Sequence, residues 1–160
     1  MRSFQVFARM SPEEATRMMK VLSKETPPMF RQAVDAAAIS MKARPVYLRK
    51  QPFEKRAAAV RRSLARLAAN PVADELLAVY FLECRKDLLL EWLDLVGLKH
   101  EDGALEEDTP DEPEKAHLET SVKSYREAGD EPDRELLLQA FAAQGAVEWP
   151  TLDALLGFTD

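Results

Sequence analysis

Cysteine is nearly absent from this chain. The one residue, Cys84, excludes an intramolecular disulfide framework and points to a reducing compartment. It stands in the apolar run Leu82-Glu83-Cys84 with nothing beside it that marks a reactive thiolate, so a small buried thiol is expected. Glycine is scarce as well, at five residues in 160, and no glycine-rich phosphate loop exists. No serine sits in a nucleophile-elbow context. Long apolar runs are missing: the most apolar region, Val72 to Leu98, is broken by Glu83, Arg85, Lys86 and Asp87, so no segment reaches the roughly 18 residues of a membrane span. Met1 to Met10 has no apolar core of signal-peptide length, and no small-residue cleavage site follows. These absences predict a cytoplasmic protein with no membrane contact.

Histidine is limited to His100 and His117. Joined to nearby carboxylates they would suit zinc or non-haem iron, but their spacing matches no ligand pattern. A calcium loop fails directly, because placing Gly103 at its turn puts Leu98 where the first carboxylate ligand belongs. Glu83, Asp87, Glu91 and Asp94 make a carboxylate stripe at helical spacing, read as a solvent-facing edge rather than a di-iron ligand set. No metal, cofactor or catalytic residue is expected, and the balance leans away from an enzyme.

What is present is helical. Composition, 46% hydrophobic and 31% charged, is that of a globular chain. Ser11-Pro12-Glu13-Glu14 is a capping box with proline at the first helical position, and Ala15, Met18, Met19 and Leu22 share the following face. Thr26-Pro27 repeats the start signal ahead of Phe30, Val34, Ala37 and Met41. Arg44-Pro45 to Gln51-Pro52 reads as a connector, since the residue before a proline avoids helical space. Phe53 to Ala69 is the clearest amphipathic helix, with Phe53, Ala57, Val60, Leu64 and Leu67 on one side and Lys55, Arg62 and Arg66 on the other. From Val72 to Val96 apolar residues occupy nearly all faces, which predicts a central helix or a bent pair stopped by Gly97. Two further helices are expected at 113–128 and 132–144, closed by Gly129 and Gly145, and a short one after Trp149-Pro150. The alternation of Phe4, Val6 and Ala8 suggests a short extended arm. Trp92 and Trp149 are expected in the core.

The sum is an all-α fold, an irregular bundle of six or seven helices in one domain over 1–160. Its N-terminal helices cover about 11–69 and its C-terminal helices about 72–158, the latter resting on the apolar segment 72–98. Glu75-Leu76-Leu77 with Glu91-Trp92 resembles Glu135-Leu136-Leu137 with Glu148-Trp149 at an offset near 60 residues. A duplicated helical pair in the C-terminal half explains that, and so does chance in a chain rich in leucine and glutamate.

Charge is divided along the chain. Residues 42–66 hold nine bases and one acid, whereas residues 67–160 hold seven bases and 23 acids. Residues 101–114 carry eight acids, two prolines and no base, and read as a solvated, mobile loop. Arg49, Lys50, Lys55, Arg61, Arg62 and Arg66 are the candidate contacts for an anionic partner. On a continuous helix Lys55, Arg62 and Arg66 fall within about 40° of one another. Among these bases only Tyr47 and Phe53 are aromatic, and Phe53 is assigned to the core, so base stacking has little support. The function expected is non-catalytic interaction or assembly through opposed basic and acidic surfaces, with a protein partner or self-association ahead of nucleic acid. The alternative is a nucleic-acid-associated regulator that uses the basic helix 53–69.

Overall fold

A computed structural model describes residues 1–158. The fold is all-α, as expected, with ten helices among the described residues and a two-stranded ladder as the only sheet. The chain divides into two compact units, an N-terminal unit of Ser3–Tyr80 and a C-terminal unit formed by Met1–Arg2 and the chain from Phe81 onward.

The N-terminal unit holds α1 (Ser3–Arg9), α2 (Pro12–Glu25), α3 (Pro27–Ser40), α4 (Pro45–Arg49), α5 (Phe53–Leu64) and α6 (Asn70–Val79). Helices α2, α3 and α5 pack on one another, α4 lies on α3, and α1 lies on α5 and α6. The capping box forms: Glu14 N–H donates to Ser11 Oγ at 3.1 Å, and Ser11 N–H donates to Glu14 Oε2 at 2.9 Å. Ala15, Met18, Met19 and Leu22 are buried, as their spacing predicts.

Several expectations are corrected here. The N-terminal arm is helical, because the buried residues are Ser3, Val6, Phe7 and Met10, a 3.6-residue period that the weaker alternation concealed. Its first turn is satisfied from α6: Ser3 Oγ donates to Asp74 at 2.7 Å and Phe4 N–H donates to Asn70 Oδ1 at 3.0 Å. The Thr26 hydroxyl turns back to the Leu22 carbonyl and does not cap α3. Met41 is 45% exposed, past the end of α3. The 44–52 connector contains α4, with Leu48 buried. Helix α5 ends at Leu64; Arg66 is extended (φ −98°, ψ 141°), and Leu67–Ala69 form a 3-10 turn in which Leu67 is 58% exposed. No glycine or proline marks that stop, so the apolar period ran past it.

The apolar segment 72–98 proves to be interrupted. A π-helical stretch covers Tyr80–Cys84, and Arg85 (φ −131°, ψ 45°) leaves helical space before α7 (Lys86–Val96) begins. Cys84 is only half-buried, not enclosed as expected. Helix α6 belongs to the first unit, while α7 packs on α8 (Lys115–Glu127) and α9 (Asp133–Ala143) in the second. Gly97 ends α7 at φ +85°, its N–H and that of Leu98 both bonding to the Leu93 carbonyl. Helix α10 (Pro150–Leu155) closes the chain against α8. Trp92 lies inside α7 and Trp149 immediately before α10, so the two similar segments occupy different places in their helices. Both tryptophans are core. Phe141 contacts the Trp92 and Trp149 rings edge-on at 5.8 and 5.2 Å, and Tyr125 meets Trp92 at 5.5 Å.

Candidate functional site

The six candidate bases separate into two structural groups. Arg49, at the end of α4, is held by Asp35 of α3 through a bidentate pair, with Nε to Oδ1 at 2.8 Å and Nη2 to Oδ2. That hydrogen-bonded guanidinium keeps the Asp35 carboxyl below its ordinary range. Arg61 is half-buried, and its Nη1 donates to the Phe7 carbonyl at 3.4 Å, at the end of α1. Both are scaffold contacts. Lys50, Lys55, Arg62 and Arg66 are exposed, and their side chains make no ion pair or hydrogen bond among the described residues. Lys55 and Arg62 share the outer face of α5, about 20° apart at 100° per residue. Arg66 follows in the extended link beyond the helix, so the shared azimuth expected of it does not hold.

Beside these bases stand apolar side chains that sequence reasoning missed. Ile39 is 69% exposed, Met41 45%, Val46 56% and Tyr47 63%. They flank Lys42 and Arg44, which are also exposed. Ser40 Oγ lies 3.4 Å from Ser63 Oγ, which sets the end of α3, with Ile39 and Met41, beside the end of α5, with Arg62. The available signal was interleaving: apolar and basic residues alternate from Ile39 to Lys50 with no helical period.

The C-terminal unit treats its bases differently. Arg134, 8% exposed, binds Glu91 with both Nη atoms at 3.0 Å and Glu131 through Nε at 2.8 Å, and lies over the Tyr125 ring at 5.0 Å. These bonds raise the Arg134 pKa, with Glu91 the largest cause, and lower that of Glu131. Burial pushes the Tyr125 hydroxyl up. Arg85 pairs with Asp133 at 3.0 Å and with Asp87, Arg126 with Glu135, and Lys86 with Asp102. Of the carboxylate stripe, Asp87, Glu91 and Asp94 are thus each taken by a partner, Asp94 by His100 Nε2 at 2.7 Å.

The acidic segment is anchored rather than wholly solvated. His100–Glu101 (β1) pairs with Ala104–Leu105 (β2), and Gly103 N–H donates to His100 Nδ1 at 3.2 Å, which leaves the ring proton on Nε2 for Asp94. Pro110 is buried; its carbonyl accepts from Trp149 Nε1 at 2.8 Å, and Glu112 accepts from Thr151 N–H at 2.7 Å. Glu106 to Thr109 remain exposed. His117 Nε2 bonds to the Val96 carbonyl at 3.1 Å. Glu114 and His117 do stand at Glu-x-x-His spacing, but no group of three or more potential ligands converges among the described residues.

Fourteen bases against seven acids give the N-terminal unit a net charge of +7; eight bases against 21 acids give the C-terminal unit −13. Comparison with models of protein families, with curated proteins and with solved structures finds no match to this chain. Among the described residues no helix is long and apolar enough to cross a membrane.

Proposed function

We propose that this chain is a non-catalytic interaction protein whose N-terminal unit docks an acidic protein surface through Lys50, Lys55, Arg62 and Arg66 and the apolar side chains beside them. The observation that carries the reading is the contrast between the units, +7 with Lys50, Lys55, Arg62 and Arg66 exposed and unpaired against −13 with Arg85, Lys86, Arg126 and Arg134 internally paired. Unpaired bases at a rim steer an anionic partner and speed its encounter. Ile39, Met41, Val46 and Tyr47 supply the apolar contact area that charge alone lacks. A second copy of this chain offers an acidic surface of the required sign, so self-association is the first form to test. The cytoplasm is the setting proposed, since a chain with one cysteine has no intramolecular disulfide to form and suits a reducing compartment.

The test replaces Lys55, Arg62 and Arg66 together by glutamate and leaves the scaffold bases Arg49 and Arg61 in place. Sedimentation over a concentration series reads self-association, and titrations with polyglutamate and with duplex DNA read the two polyanion classes. Salt-sensitive association with a second copy or with polyglutamate, lost in a variant whose circular dichroism is unchanged, is the expected result. Tighter binding of DNA than of polyglutamate, with a steep salt slope, would favour the nucleic-acid reading instead. Association that survives the triple change refutes the surface.

A further inference from the structure

The N-terminal unit also carries a cleft of about 360 Å³ bounded by α2, α3, α4 and α5. Three arginines line it, Arg31, Arg49 and Arg56, over an apolar floor of Phe30, Val34 and Phe53. The two phenyl rings stack at 5.4 Å with 19° between their planes. The Arg56 guanidinium lies over both, 5.8 Å from the Phe30 centroid and 5.2 Å from that of Phe53. Its Nε is buried without a hydrogen-bond partner. Such a donor raises the cost of holding the cation there and is unusual in a native interior.

The charges do not balance. Asp35 is the carboxylate paired within this cluster; both of its oxygens are engaged by Arg49, and its single charge also acts on Arg31. Arg31 is exposed on the rim and has no ion pair among the described residues, and Arg56 has none either. Two guanidinium charges therefore face a concave, partly apolar space, where low-dielectric walls strengthen their field. Ser23 also lines the cleft, but its hydroxyl proton goes to the Lys20 carbonyl at 2.8 Å, so it offers an anion no donor. The volume lies at the small end of the range for small-molecule sites, roughly 300–1,000 Å³.

We infer that this cleft binds a small organic anion, a carboxylate or phosphate borne on an aromatic or apolar body. Arg31 and Arg56 hold the anionic group by their planar donor forks, and the accessible apolar lining, half-buried Phe53 with exposed Pro27, receives the body. Arg49, fixed by Asp35, shapes the rim and contributes little net charge. The site is independent of the docking surface, since none of Lys50, Lys55, Arg62 or Arg66 lines it.

Titration of the full-length chain with inorganic phosphate, benzoate and phenyl phosphate, followed by calorimetry or by amide chemical shifts, tests this. One or both ring-bearing anions should bind saturably, at least about tenfold tighter than inorganic phosphate, because only they bury apolar area. Which of the two binds identifies the anionic group. Arg31→Gln removes an exposed charge and touches no core, and should weaken binding by about tenfold or more. Arg56→Lys keeps the cation over the rings but loses the fork, and should weaken it similarly in a folded protein. Shifts should map to Phe30, Arg31 and Phe53. The inference is overturned if neither ring-bearing anion saturates, if inorganic phosphate binds as tightly as they do, or if both variants bind like the wild type.

Discussion

The Tyr125 ring is fully buried against Trp92, and its hydroxyl donates to the Leu88 carbonyl at 3.1 Å. Tyr125→Phe keeps the ring contacts and deletes that bond, so it should cost about 1 kcal/mol in a urea titration. Leu77, 1% exposed in α6, is a purely apolar case. Leu77→Ala should cost about 2–5 kcal/mol, the span for truncating a buried leucine; a loss below about 1 kcal/mol would mean that α6 is not central to its unit. The burial of Leu77 was legible, because apolar residues on nearly all faces of 72–96 leave no other place for it. The roles of Arg49 and Arg61 were not. An arginine that holds an aspartate fourteen positions away, or a helix end 54 positions away, looks in sequence like any other arginine.

Elements repeat that contrast between local and distant causes. The capping box at α2 is wholly local, with both bonds spanning three residues, and Ser11 announced it. Ser11→Ala should cost about 1 kcal/mol by thermal or urea unfolding, with no change in which residues are buried. The acidic segment is governed from a distance, because Trp149 and Thr151 bind Pro110 and Glu112 across 39 positions. A glutamate-specific protease should cut first after Glu106 or Glu107, in the exposed stretch. Trp149→Phe removes the donor to Pro110 and should speed that cut, while Thr120→Ala on the exposed side of α8 should not. Equal rates in all three proteins would show that the anchor does not restrain the loop. Helix α5 illustrates the middle case: its apolar phase is real through Leu64, and its end is set by the turn that starts α6.

For the whole chain, charge links fold to solution behaviour. Asp35, Asp87 and Glu131 are each held below the ordinary carboxyl range, by Arg49, Arg85 and Arg134 in that order. A carboxyl whose folded pKa is depressed adds stability above its unfolded value near 4, and that stability is lost as pH falls through the folded value. The urea midpoint should therefore be level from neutral pH to about pH 5 and fall below about pH 4. Asp35→Asn combined with Glu131→Gln should make the acid decline shallower, since two of the linked protons are then gone. A decline as steep as that of the wild type would show that these pairs do not matter in solution, as exposed pairs often do not.

Composition and periodicity by themselves determined that this chain is helical, where most of its helices start, that both tryptophans and most of the leucines assigned to the core are buried, and that its charge is divided. Each rests on information within a few turns of helix: a cap, a proline, a 3.6-residue period or a local count. Tertiary structure alone decided that Ser3–Arg9 is a helix capped by α6, that Arg49 and Arg61 belong to the scaffold, and that Ile39, Met41, Val46 and Tyr47 are left outside. It also decided that Arg31 and Arg56 line one cleft with the Phe30–Phe53 pair. Those outcomes depend on partners brought together by chain folding, and a side chain's exposure or pairing is a property of that encounter rather than of its own residue type.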